Sequence, residues 1–115
     1  MHRDIASLVA KELIKKLESF LADKKIVVVL GTWCSDSQEL FPRLLKVLNL
    51  ISFPPNVLTI YGVNKNKTVP ENIITKYKIT NVPTFIVFNS DGTEQGRIIE
   101  TVKESVEIDL MRMFL

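Results

Sequence analysis

A lone cysteine, Cys34, stands between Trp33 and the polar run Ser35-Asp36-Ser37. A thiol can be a nucleophile, a metal ligand or an inert packing group, and its surroundings decide which. The chain holds one Cys and one His, His2. An intrachain disulfide is therefore excluded, and so is a Cys/His metal cluster; a Cys–His catalytic pair would have to recruit His2. What is left to a single sulfur is a reactive thiol or a small buried apolar packing group. Ser37 follows three residues on, one helical turn away. Its hydroxyl can reach a thiolate but cannot close a disulfide, and a solvated first-turn serine is an equally good account of it. Trp33 can fill core space, and its edge can also shield the sulfur and face a partner. Farther along, Asn81-Val82-Pro83-Thr84 leads into an apolar run. A proline there belongs at a strand start or a bulge. Local statistics favour a trans bond, because cis accounts for only ~5% of X–Pro bonds.

The elements that must position these residues are legible from periodicity. Residues 4–22 carry apolar positions at helical spacing with charges between them, and predict an amphipathic helix with Asp4 in its first turn. Lys25 to Leu30 is a β-branched run ending at Gly31, a strand covered on both faces. A second helix over about 35–51 follows, interrupted by Pro42 and ending before Pro54-Pro55. Residues 56–63 read as a strand, Asn64 to Thr68 as a polar loop, and 70–77 as a short helix opening on Pro70. Thr84 to Phe88 is an apolar strand. Asn89-Ser90-Asp91-Gly92 signals a tight turn into a more polar edge strand over 94–100. A helix over 103–114 closes the chain.

Cys34 thus falls three residues past a buried strand and immediately before a helix. The first N–H groups of a helix lack intrahelical partners, and with the dipole they favour negative charge. The thiol is accordingly expected to be more acidic than a free cysteine, with Asp36 and Glu39 working against the effect.

The order α-β-α-β-α-β-β-α predicts a central sheet with helices on both faces. Strands 26–31 and 57–63 form a right-handed parallel βαβ unit, and the last two strands form a hairpin. At 115 residues, 46% apolar and 24% charged, the chain makes one domain spanning 1–115. A formal charge of +2 is too small to predict nucleic acid or an anionic membrane as partner. No stretch approaches the ~20 apolar residues of a membrane span. Met1 to Ala10 lacks the basic-then-apolar order of a signal peptide. The expectation is a cytoplasmic monomer, or a periplasmic or secreted one if a signal peptide has been removed. Asn66-Lys67-Thr68 matches a glycosylation acceptor, a pattern that chance produces often.

Two sets of residues together resemble the thioredoxin superfamily. One is Trp33-Cys34-x-x-Ser37 after an apolar strand, with Pro42 eight residues past the cysteine. The other is Lys76-Tyr77-x-Ile79-x-x-Val82-Pro83-Thr84 leading into strand, turn and strand. The resemblance covers residues 25–115. It implies a thioredoxin-like three-layer α/β/α sandwich on a mixed four-stranded sheet, and a cis bond before Pro83 beside the active cysteine. It also implies that Val82 pairs its backbone with a bound peptide, a β-augmentation with little sequence preference.

The chain departs from the family's pattern twice. The second cysteine of the dithiol motif is Ser37, and the buried Asp that many members carry six residues before the first cysteine is Val28. With no second thiol to deprotonate, an apolar residue costs less there than a buried carboxylate.

The resemblance implies a monothiol oxidoreductase with Cys34 and Ser37 as catalytic positions and Trp33, Val82 and Pro83 binding substrate. It takes no resident cofactor or metal, and glutathione would serve as the external thiol. Protein or peptide thiols and disulfides are the expected partners, and dithiol disulfide reductase activity should be absent or poor. The alternative is a redox-inactive binding module holding peptides between Trp33 and Pro83. An iron–sulfur role like that of monothiol glutaredoxins is disfavoured, because their Cys-Gly-Phe-Ser segment is absent.

Overall fold

The computed structural model describes residues 2–31, 33–63 and 71–115, with the backbone alone for 2–10 and 71. The expectations placed on the loop at Asn64 to Thr68 with its glycosylation match, and on Pro70, fall outside the described residues. Helix α1 (His2–Leu21) leads into strand β1 (Lys25–Gly31), helix α2 (Ser35–Leu50) and strand β2 (Leu58–Val63). Helix α3 (Glu71–Lys76), strands β3 (Thr84–Phe88) and β4 (Glu94–Ile99) and helix α4 (Val106–Arg112) complete the order.

The sheet runs β2-β1-β3-β4. β1 pairs in parallel with β2 and antiparallel with β3, and β3 pairs antiparallel with β4, with a register shift between Val87 and Phe88. The mixed sheet follows from the connections. A helix-long crossover brings β2 back parallel to β1, whereas the Asn89–Gly92 turn can only fold β4 back on β3. That turn is closed by Gly92 N–H to the Asn89 carbonyl at 2.9 Å, with Gly92 at φ +89°.

Side chains alternate across the strands and divide the core in two. On one face Ile26, Val28, Phe85, Val87 and Ile98 meet Leu17 and Leu21 of α1, Leu44 and Val47 of α2, and Leu110 of α4. On the other, Val27, Val29, Ile86 and Val63 pack with Ile73 of the short α3. Helices therefore cover both faces of a thioredoxin-like α/β sandwich, but unequally, with three helices on one side and one on the other among the described residues.

Several element boundaries depart from the periodicity by one to three residues. The first helix spans His2–Leu21 rather than 4–22. The second strand begins at Leu58, because Pro54 and Pro55 hold 55–57 in a 3-10 turn whose Val57 N–H bonds the Pro54 carbonyl at 3.3 Å. The last helix starts at Val106, not at 103. Ser105 is its N-cap, accepting from Ile108 N–H at 3.1 Å, and the Asp109 carboxylate takes Lys103 N–H at 2.7 Å and Glu104 N–H at 3.2 Å. Those side-chain bonds offer the backbone at 103–105 an alternative to helix. α2 ends at Leu50 with Ser52 left-handed at φ 53°. Phe53 N–H bonds the Leu48 carbonyl and Ser52 N–H the Asn49 carbonyl, a Schellman closure without its usual glycine.

Candidate functional site

The corner between β1 and α2 carries Cys34. As N-cap of α2 it has extended backbone angles, φ −84° and ψ 122°. Its N–H donates to the Gly31 carbonyl at 3.1 Å, and its carbonyl accepts the first helical bond, from Gln38 N–H at 3.1 Å. Its side chain makes no capping bond to the helix. The half-buried sulfur instead turns across the sheet end, where the thiol donates to the Val82 carbonyl at 3.5 Å. Residues 48 positions apart in sequence are brought together because β1 and β3 are adjacent antiparallel strands, and Cys34 and Val82 lie just beyond paired ends.

Ser37 occupies the next turn down and is 4% exposed. Its Oγ accepts the buried N–H of Gly31 at 3.0 Å, so its hydroxyl oxygen anchors the last residue of β1. The solvated first-turn serine is corrected by this burial. Trp33 is 44% exposed at the mouth of the corner. The Val82–Pro83 peptide bond is cis, and Pro83 is buried with its carbonyl accepting Glu100 N–H at 2.7 Å. Fully buried Thr84 donates its hydroxyl to the Asn81 carbonyl at 2.6 Å, closing the 81–84 loop around Val82.

A cleft of about 260 Å³ shares Trp33 and Val82 with this corner and is otherwise walled by Val63, Ile74, Ile79, Thr80 and Asn81. Its lining is mostly apolar with a few polar side chains, the composition of a ligand cleft. Glu39 is turned to Arg43, 3.0 Å away on the exposed side of α2. Among the described residues no three Cys, His, Asp or Glu side chains gather to hold a metal ion.

Sequence reasoning singled out Cys34, Ser37, Trp33, Val82 and Pro83, and all five lie at this one end of the sheet. Two further residues carry the geometry. Thr84 had a signal, a small hydroxyl opening an otherwise apolar strand. Gly31 had none beyond ending β1, because its contribution is a missing side chain.

A sulfur at a strand–helix corner facing the backbone before a cis-proline strand is the arrangement of the thioredoxin fold. Solved thioredoxins share the fold of this chain over most of their length. Thioredoxin O2 from Arabidopsis thaliana superposes with a TM-score of 0.53 at 20% identity, covering 93% of this chain and 82% of that one. Thioredoxin from Trypanosoma brucei brucei gives 0.55 at 17% identity, with 87% and 84% covered. Thioredoxin from Malassezia sympodialis gives 0.55 at 16% identity, with 81% and 76% covered. At these identities the likeness is one of fold. No protein of curated function matches the sequence significantly. The sequence model of the thioredoxin family matches residues 2–111, and the chain belongs to that family.

Proposed function

We propose that the protein performs thiol–disulfide exchange with Cys34 as its one sulfur. The Cys34 thiolate attacks a disulfide R–S–S–R′. A Cys34–S–S–R bond forms, and R′ leaves as a thiolate that takes up the proton lost by Cys34. An external thiol such as glutathione then attacks the mixed disulfide, returns Cys34 to its reduced form and carries R away as a new disulfide. With R a glutathionyl group, the cycle removes glutathione from a client protein. Trp33, Val82 and Pro83 would seat the client, whose backbone can pair with Val82 as an added strand. Ser37 stands where a resolving thiol would be needed, so the protein would not work as a dithiol reductase.

The observation that supports this most is the half-buried Cys34 sulfur 3.5 Å from the carbonyl of Val82, a residue that also lines the apolar cleft. A client strand paired at Val82 would present its sulfur to Cys34. The test is intact-mass analysis after incubation with a short disulfide-bridged peptide. The expected result is a single adduct that Cys34→Ser abolishes. Peptide binding with no adduct would identify a binding module instead.

No helix of the described residues is long and apolar enough to cross a membrane. A freely diffusing monomer that meets protein or peptide thiols, in the cytoplasm or in an oxidising compartment, fits the proposed exchange.

A further inference from the structure

Gly31 touches the site in three ways at once. Its N–H donates to Ser37 Oγ at 3.0 Å. Its carbonyl accepts from Cys34 N–H at 3.1 Å. Where a Cβ would stand, Val82 Cγ2 lies 2.7 Å away, Cys34 Cβ 3.2 Å and the Trp33 ring 3.5 Å. The first of these distances is closer than real carbon contacts allow. The Cys34 corner and the Val82 loop therefore approach each other across the one residue of β1 that has no side chain.

From this geometry we infer that Gly31 is a positioning residue for exchange, setting the separation between the Cys34 sulfur and the Val82 backbone, with Ser37 acting through Gly31. The inference rests on the exchange function proposed above for Cys34. Any side chain at position 31 must displace something. Val82 is β-branched and stiff at χ1, so the relief falls on the backbone of its loop. Cys34 Cβ, 3.2 Å from the same point, is itself tighter than an ordinary contact. The methyl of an alanine would thus push apart the two groups that must address one client at strand spacing. Ser37 holds the other side of the same residue: its Oγ fixes the Gly31 N–H, and so the height of the corner above α2.

A client that uses both Val82 and Cys34 feels this separation, whereas a small disulfide without a peptide backbone needs only the sulfur. The test compares rates of mixed-disulfide formation with a short disulfide-bridged peptide and with hydroxyethyl disulfide. Gly31→Ala should lower the peptide rate by about tenfold or more, since misplacement of ~1 Å is costly to an oriented reaction. The hydroxyethyl disulfide rate should stay within about twofold. A double-mutant cycle locates the cause. In a Val82→Ala background, which removes the methyl that the new Cβ would meet, Gly31→Ala should cost several-fold less. Should Gly31→Ala not fold, the double variant should fold, and a double variant that fails as well overturns the assignment. Equal losses on the two disulfides, or the same loss in both backgrounds, also overturn it. A parent that forms no adduct with either disulfide contradicts the exchange function instead. The positioning is then read from the nuclear Overhauser contact between Cys34 and Val82, which Gly31→Ala should weaken and which would be unchanged if Gly31 did not set the spacing.

Discussion

Ser37 shows how a residue inherited by position can serve by another route. Its oxygen is committed to a buried backbone N–H, that of Gly31. Removing a partner from a buried donor leaves the donor's desolvation uncompensated, a loss of about 1–3 kcal/mol. Ser37→Ala should therefore lower unfolding stability by that amount, read from urea midpoints, and a change below about 0.5 kcal/mol would mean that water replaces the hydroxyl. Ser37→Cys tests the other half of the residue's character. It puts a second sulfur one turn below Cys34, in reach of the mixed disulfide, and turns resolution into an intramolecular step. The variant should reduce a disulfide protein with a small dithiol as electron source at least about tenfold faster than the parent. Val28 would limit the gain, because no buried carboxylate assists the new thiol. A variant that closes no internal disulfide would show that positions 34 and 37 are wrongly arranged for it. At this scale the sequence spoke through rare types. One Cys, one Trp and a proline before a strand stand out, but the bond from Gly31 to Ser37 joins a backbone group to a common side chain and leaves no mark in composition.

At the scale of elements, α3 is the slight one, six residues whose Ile73 and Ile74 pack on the second face of the sheet. Its C-terminal end is braced from β4. The Arg97 guanidinium donates to the Tyr77 carbonyl at 2.9 Å and pairs with Glu94 at 2.6 Å. The hydrogen bond from Arg97 holds the Glu94 carboxyl below its usual range, against a smaller opposing effect of burial. A depressed carboxyl adds stability above its unfolded value, near 4.3, and loses it as the pH falls through the lower folded value. Glu94→Gln should cost no more than about 1 kcal/mol at neutral pH, and the difference from the parent should close in acid. Urea midpoints measured on both sides of pH 4 check the sign, and a gap that widens on acidification would refute it. Existence and type of the elements were legible from periodicity, while their ends were set by bonds that periodicity does not carry. Asp109 reaching back to Lys103 N–H, and Pro54 accepting from Val57, moved two boundaries by side-chain and turn chemistry.

Across the whole molecule, the order of strands and helices predicted a central sheet with helices on both faces, and the polarity of 94–100 predicted that β4 lies at its edge. It did not say which helices share a face. α1 lies with α2 and α4, and its end is tied to the chain's last residues by stacking of Phe20 on Phe114, centroids 5.0 Å apart and rings 9° from parallel. Lys24 sits 6.0 Å above the Phe114 ring. Such a contact joins residues at opposite ends of the sequence, and no local pattern encodes it. Phe114→Ala should lower stability by about 1–2 kcal/mol, from lost area and stacking, and should speed amide exchange in the last turns of α1 more than in β1. Uniform acceleration would mean that the stack does not dock α1 locally.

The account's central claim is that one sulfur does the exchange and that release needs a second molecule. The lifetime of the Cys34 mixed disulfide against added glutathione tests it most directly. The mixed disulfide should decay at a rate proportional to glutathione concentration and persist when none is present, with reduced Cys34 as the product. Decay at a rate independent of added thiol would contradict the account.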